Sequence, residues 1–325
     1  MVQHIARRLI QMVPLLIGIS VLVFAIANLV PGNPVTDLVV QMEANRELSQ
    51  ADIDRITAYY GLDQPLYVRY FSWAGNVLQG NLGLSMRTHQ PVLRMILHSL
   101  PNTLLLTTTA FLLALLFAIP IGVFGAVRRN TWFDHVTTAG AVTGYSVPTF
   151  WLALMLLLLF AVKFKQWGFP SLPAGGIYDL RGGGGFGDRI EHLILPAFAL
   201  AFVQTALWTR YIRSQMLEVL SQDYIRTARS KGLMERLVIF RHGLRNALLP
   251  LITLMGLAVP ELFGGALIIE QIFNYPGMGQ LTFTAAVGHD YPLIMGTVMF
   301  AAVLVIIGNL LADVAYSIVD PRVRL

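Results

Sequence analysis

Apolar residues run along this chain in long blocks, without the strict alternation of a half-buried strand. A helix rising 1.5 Å per residue needs roughly 20 mostly apolar residues to cross a hydrocarbon layer about 30 Å thick. Six blocks reach that size, over residues 9–30, 103–127, 136–162, 192–208, 248–269 and 293–318. The fourth is the least apolar, because Gln204 lies inside it and Arg210 and Arg213 close it. The first also has the outline of a secretory signal, with Arg7 and Arg8 ahead of it and Ala25-Ile26-Ala27 as a small-residue site. Its apolar run is longer than a signal core, so it reads as a retained span.

Small residues recur at helical spacing inside these blocks. Ala110, Ala114, Ala118, Gly122 and Ala126 lie four apart on one face, where backbones can approach closely. Gly140 with Gly144, and Gly256 with Pro260 and Gly264, make similar faces. All three read as packing seams, which by themselves imply no function. Prolines at Pro14, Pro120, Pro148, Pro196, Pro250, Pro260 and Pro292 each remove a backbone donor and predict kinks or helix starts.

Composition sharpens the membrane reading. Of 325 residues, 55% are hydrophobic and only 13% charged, about half the charged share of a soluble domain. Mean hydropathy is +0.63. With no cysteine there is no disulfide framework, thiolate metal site or catalytic thiol. Placing the N-terminus inside puts 14 of the 23 Lys and Arg in the shorter set of loops and tails. Positive residues are retained on the cytoplasmic side, so both termini are expected in the cytoplasm. The pI near 9.6 then describes a basic cytoplasmic face and does not call for nucleic acid.

Two loops are long enough for a role, the outer one over 31–98 and the inner one over 210–246. In the outer one, Ser49 and Asp52 have capping-box spacing ahead of a short helix that Gly61 would stop. A run of four glycines, Gly182 to Gly185, lacks the Lys-Ser or Lys-Thr of a phosphate cradle and reads as a surface loop. Intramembrane acids are costly and usually functional. Two lie well within blocks, Asp313 near the basic tail and Glu261 near mid-depth beside Pro260. Asp313 reads as structural, pairing with Arg322 or capping neighbouring backbone, and Glu261 as a candidate pore-lining group, the alternative being an interhelical hydrogen bond in protonated form. No H-E-x-x-H, G-x-S-x-G or P-loop motif appears, and the seven His have no ligand-like spacing. A catalytic site, a metal site and a self-energised transporter are therefore not expected.

The inner segment Asp223-Tyr224-Ile225-Arg226-Thr227-Ala228-Arg229-Ser230-Lys231-Gly232 is the most specific feature. Asp223 is placed to cap a helix of about two turns and Gly232 to end it. Its cations are Arg226, Arg229 and Lys231, and its strongly apolar residues to insert elsewhere are Tyr224 and Ile225. Such a helix is too short to persist alone. It needs a surface, either a protein groove or anionic lipid headgroups, and the small apolar content favours the groove.

At these residues the chain resembles the permease subunits of ATP-binding-cassette importers, in the dipeptide, oligopeptide and nickel branch, and within it the first, dipeptide-permease-B-like subunit. The family's Glu-Ala-Ala-x-x-x-Gly loop motif corresponds to Arg226-Thr227-Ala228 and Gly232, with Arg226 in the Glu position as in the peptide branch. The stretches Gly61-Leu62-Asp63-Gln64-Pro65, Gly80-Asn81-Leu82-Gly83-Leu84-Ser85, Asp134-His135, Tyr145-Ser146-Val147-Pro148, Arg241 to Pro250, Tyr275-Pro276-Gly277-Met278-Gly279, Asp290-Tyr291-Pro292 and Asp320-Pro321-Arg322 are similar too. Asn81 stands where the branch usually has Asp.

The resemblance implies an all-α membrane protein with the type I importer fold, six transmembrane helices and a cytoplasmic coupling helix. Residues 1–30 would form the tail and first span, 31–98 an extracytoplasmic region and 99–325 the permease core, including the coupling loop 216–247. The implied partners are a second homologous permease subunit, two ATPase subunits that carry ATP and Mg, an extracytoplasmic binding protein and membrane lipid, in a bacterial or archaeal cytoplasmic membrane. No cofactor is expected on this chain. The implied cargo is a dipeptide or oligopeptide, with nickel chelates, glutathione and oligosaccharides as alternatives inside the branch. A six-span channel or scaffold without an ATPase is the alternative outside it.

Overall fold

The computed structural model describes residues 2–29, 64–179, 184–248, 251, 258, 262 and 266–319. Of these, the side chains of residues 2–9, 29 and 313–319 are not described. No β-strand occurs among the described residues. We number the helices α1 (Val2–Leu29), α2 (Leu66–Leu78), α3 (Val92–Val127), α4 (Trp132–Ser146), α5 (Thr149–Gln166), α6 (Phe186–Leu220), α7 (Asp223–Ser230), α8 (Leu267–Ile272), α9 (Met278–Val287) and α10 (Tyr291–Val319).

Five helices are long and apolar enough to cross a membrane among the described residues: Ile10–Asn28, Val92–Val127, Thr149–Gln166, Phe186–Leu220 and Tyr291–Ala312. The expected span over 248–269, with Glu261 and the Gly256, Pro260 and Gly264 face, lies largely outside the described residues. So do the Ser49 helix and Arg322.

The core is built on the α3 and α6 pair. The small-residue ladder is the buried face of α3, from Ala110 to Ala126. It packs with Ala201, Trp208, Ile212 and Met216 of α6. At Gly122 a Cβ would stand 2.9 Å from the Ile212 Cβ and from the Thr209 carbonyl, so only glycine allows this approach. Large apolar residues of α3, such as Leu105, Leu112 and Leu116, point outward. That inversion of the soluble pattern is expected where the surroundings are lipid, because burying a leucine then has no hydrophobic gain.

The expected third span is divided. The chain leaves α4 at Ser146, and α5 begins after Val147 and Pro148, with Val147 extended at φ −75° and ψ 123°. Proline disfavours the helical region for the residue before it, which is why one apolar block yields two helices. α5 continues through a π-helical stretch, Leu157–Lys163. Gly144 packs on Ala206 and Phe202, but Gly140 has nothing within 4 Å; the expected two-glycine seam is a one-glycine contact within this chain. Pro14, Pro120 and Pro196 lie inside continuous helices, whereas Pro148 and Pro292 sit at helix starts. α6 also exceeds its expected length, 35 residues where the sequence suggested 192–208. At 1.5 Å per residue that is about 52 Å, so it continues well past one membrane face.

Candidate functional site

The overlong α6 delivers the inner segment. After Leu220 only Ser221 and Gln222 intervene before α7, which spans Asp223–Ser230. Its C-terminal end agrees with the sequence expectation. Gly232 has φ +75°, its N–H donates to the Arg229 carbonyl at 2.9 Å, and the Leu233 N–H reaches the Ala228 carbonyl at 3.4 Å. These two bonds make a Schellman ending, which favours glycine in the left-handed position. The N-terminal end differs: Gln222 occupies the cap position, and no side-chain cap bond forms. Asp223 is instead the first helical residue, where its charge meets the positive end of the helix dipole without a cap bond to the backbone.

α7 has two faces. Ile225, at 0% exposure, and Ala228, at 7%, pack with Val238 and Leu220 of the same chain. Ile225 is therefore not available to insert elsewhere, contrary to the sequence expectation, because it packs on α6 and on the π-helical stretch Val238–Leu244 of its own chain. Asp223, Tyr224, Arg226, Thr227, Arg229, Ser230, Lys231 and Gly232 are exposed. Arg229 makes a paired bridge to Glu235, at 2.7 and 3.1 Å, and holds that carboxyl below its usual range. Arg226 lies 3.5 Å from Asp223, a contact between two solvated side chains that is worth little. Thr227 and Ser230 hydroxyls donate back to the Asp223 and Arg226 carbonyls. The outward face thus presents Tyr224, Arg226 and Lys231.

A second fastening holds the same end of the molecule. Asp134 is buried in the first turn of α4, and Arg213 of α6 donates to it twice, from Nε and from Nη2 at 2.8 Å. The Arg213 guanidinium holds the Asp134 carboxyl at about 2, against the opposing effect of burial, and the Asn130 N–H assists. α4 is thereby tied to α6 about two turns before α6 ends.

The opposite end of α3 carries a clamp that the sequence analysis missed. Glu270, at 0% exposure, is a buried acid outside the two that were singled out. It accepts from the Thr103 hydroxyl at 2.8 Å and from the Gln280 N–H at 3.0 Å. Thr103 in turn accepts from the Met278 N–H at 2.7 Å, and Asn102 Nδ2 donates to the Pro276 carbonyl at 2.8 Å. A Cβ at Gly277 would collide with the Glu270 carboxyl. The segment Tyr275-Pro276-Gly277-Met278-Gly279 is therefore wrapped around a carboxylate, which explains its two glycines. Burial, followed by the Glu270 charge, pushes the Tyr275 phenol up to about 12. Thr103 and Gly125, which touches Asp134 and Arg213, are 22 residues apart along α3. That is about 33 Å, so the two fastenings stand about one bilayer-core thickness apart along α3.

Beside the clamp, Asp290 joins two further motifs. It accepts from the Ser85 hydroxyl, from the Met86 N–H at 3.1 Å and from the Leu293 N–H at 3.3 Å, the last at the start of α10. Asn81 accepts from the Gly83 N–H through its side-chain oxygen, at 3.0 Å. Aspartate would offer the same oxygen, so its departure from the branch pattern leaves this turn unchanged. Glu261 lies outside the described residues, and Gly232 is the only residue of the inner segment with a positive φ.

The motifs and the helical architecture together define a transport component of a membrane, and comparison with known proteins identifies the family. Residues 118–325 match the binding-protein-dependent transport system inner membrane component family, and residues 1–107 match the N-terminal region of the same membrane components. The chain belongs to this family. It is 45% identical over the full length of both chains to the oligopeptide transport system permease protein AppB of Bacillus subtilis. It is 39% identical to the dipeptide transport system permease protein DppB of Escherichia coli, covering 100% of this chain and 99% of that one. A chain from a crystal structure of an amino acid ABC transporter with histidines aligns with 71% of this chain and 94% of its own, at TM-score 0.47 and 17% identity.

Proposed function

We propose that this chain is one of two permease subunits of a bacterial ATP-driven importer for dipeptides or oligopeptides, with Asp223–Gly232 as its coupling helix. The observation that carries the coupling role is the pairing of a continuous α6 with a short helix that is fixed on one face by Ile225 and Ala228 and exposed on the other. A groove of an ATPase subunit engages Tyr224, Arg226 and Lys231. Closure of the ATPases around ATP and Mg displaces α7, and α6 carries that displacement into the membrane as a rigid lever. ATP hydrolysis belongs to the partner subunits, and this chain contributes half of the pore. The peptide cargo is supported by what the relatives named above and the di/tripeptide permease DppB of Pseudomonas aeruginosa, 38% identical, are named for.

In this reading the chain has six spans, with the sixth supplied by residues 248–269, and cytoplasmic termini. The domain division is 1–30, 31–98 and 99–325, with the binding protein delivering cargo to the face that carries the Glu270 clamp. Glu261 lines the path and favours cargo with a positive group, such as a peptide amino terminus. Glu261→Gln should then weaken uptake of cationic peptides most; uptake unchanged for every substrate charge rejects that role.

Affinity isolation of the tagged chain from its native membrane, with mass spectrometry of what accompanies it, tests the assembly. Two P-loop ATPases and a second permease are expected. Arg226→Glu with Lys231→Glu, both on the outward face, should lose the ATPases while the second permease stays. Recovery of a folded chain by itself would overturn the importer reading. Uptake of a labelled dipeptide in cells stripped of other peptide permeases tests the cargo, and failure there with the assembly intact rejects the peptide alone.

A further inference from the structure

The helix α2 has three distinct faces. Tyr70, Trp73 and Val77 turn toward α1: Phe24 meets the Tyr70 and Trp73 rings at 5.5 and 5.7 Å between centroids, and the Tyr70 and Ser20 hydroxyls are 2.9 Å apart. Tyr67, Phe71 and Leu78 form a second face at helical spacing, exposed at 66%, 70% and 89%. Ser72 and Asn76 form a third, polar face on the other side. No residue of α2 is buried.

The depth of α2 follows from its contacts with α1. Neighbouring residues Arg69 and Tyr70 reach different levels of that helix: Arg69 Nη2 donates to Asn28 Oδ1 at 2.6 Å, whereas Tyr70 pairs with Ser20. Ser20 lies eight residues inside the end of the Ile10–Asn28 span, about 12 Å along its axis. α2 therefore lies beside the stretch of α1 from Ser20 to Asn28, within the apolar span and not beyond its end. Arg69 keeps its cation at the end of the span, as long basic side chains do at a lipid boundary, while the deeper Tyr70 hydroxyl is satisfied by the Ser20 hydroxyl. On α1 the apolar residues Val21, Leu22 and Ile26 are exposed as well. Between the helices an apolar crevice of about 270 Å³, lined by Val21, Phe24, Ala25, Asn28, Leu66, Tyr67 and Tyr70, opens on this side.

We propose that α2 is an interfacial helix lying in the membrane leaflet at the C-terminal end of α1, with its Tyr67, Phe71 and Leu78 face in lipid and its Ser72 and Asn76 face in water. The occupant is the bilayer itself. Helices of this kind bind by burying an apolar face at the boundary between headgroups and acyl chains. Their depth responds to lipid packing, so α2 ties the first span and the chain that follows it to the level of the membrane surface.

The chain has no cysteine, which makes a spin-label test direct. Nitroxides are attached at Phe71→Cys, Leu78→Cys and Asn76→Cys, one at a time, in the chain isolated with its partner subunits, freed of their own cysteines, and reconstituted into phosphatidylcholine and phosphatidylglycerol nanodiscs. Labels at 71 and 78 should collide several-fold more often with oxygen, which concentrates in lipid, than with a water-soluble nickel chelate, and the label at 76 should show the reverse preference. Equal nickel access at all three positions overturns the proposal by placing α2 in water. Labels at 71 and 78 shielded from both reagents overturn it too, by showing a protein cover. All three positions are surface sites, so labelling does not remove a core contact.

Discussion

Gly232 holds φ +75° at the end of α7, a conformation that costs a residue with a Cβ about 1 kcal/mol. Gly232→Ala should loosen the last turn, and Gly232→Asn should do so less, because asparagine tolerates that region. Hydrogen exchange at the Gly232 and Leu233 amides, which close the Schellman bonds, reads the difference. Thr103 sets a second test at this scale, since its hydroxyl both donates to Glu270 and accepts from Met278. Thr103→Val preserves shape and removes both bonds, leaving a buried carboxylate short of a donor, at a cost of about 1–3 kcal/mol. Thr103→Ser should remain near wild type in thermal unfolding in detergent. If Val and Ser unfold alike, the clamp contributes nothing through this hydroxyl.

The helix α7 is attached to its own chain before any partner meets it. Ile225→Ala should destabilise that attachment by about 2–4 kcal/mol through the cavity it leaves, visible as proteolytic nicking near Gly232. The charge-reversed pair at Arg226 and Lys231 should leave the same segment protected. α4 and α6 are joined by Asp134 and Arg213, and the consequence for pH has a definite sign. The Asp134 carboxyl titrates at about 2 when folded, below its ordinary 3.8. It therefore contributes stability above the ordinary value, and that contribution is lost as pH falls from about 4 toward 2. Wild type should lose its advantage over Asp134→Asn in that acid window and keep it unchanged from pH 5 to 8, as measured by thermal unfolding across pH.

Across the whole molecule, α3 spans both fastenings, with the Glu270 clamp near one end and the Asp134 and Arg213 pair near the other. α6 packs along α3 through the small-residue seam and then continues to α7. A displacement at α7 is thus passed to a helix held against α3 by the close approach at Gly122. Gly122→Val should disrupt that approach and lower folded yield in the membrane, since the Ile212 side chain and the Thr209 backbone would both have to move. Recovery of monodisperse protein after mild extraction measures this.

Composition and block length determined the membrane class, because a bilayer accepts only chains whose apolar runs match its thickness. Gly232 determined where α7 ends, because a helix end is set by neighbouring residues, whereas Asp223 opens the helix one position after the cap expected of it. The small-residue ladder of α3 was equally legible, whereas the separate pair Gly140 and Gly144 had the spacing of a seam in which only Gly144 takes part. Buried polar pairing was not legible. Asp134 meets Arg213 across 79 residues, Thr103 meets Glu270 across 167, and Ser85 meets Asp290 across 205. A carboxylate adjoining an apolar block reads the same whether it faces water or three donors. Only the tertiary structure brings those donors together, and only it turns Ile225 inward and lays α2 alongside α1.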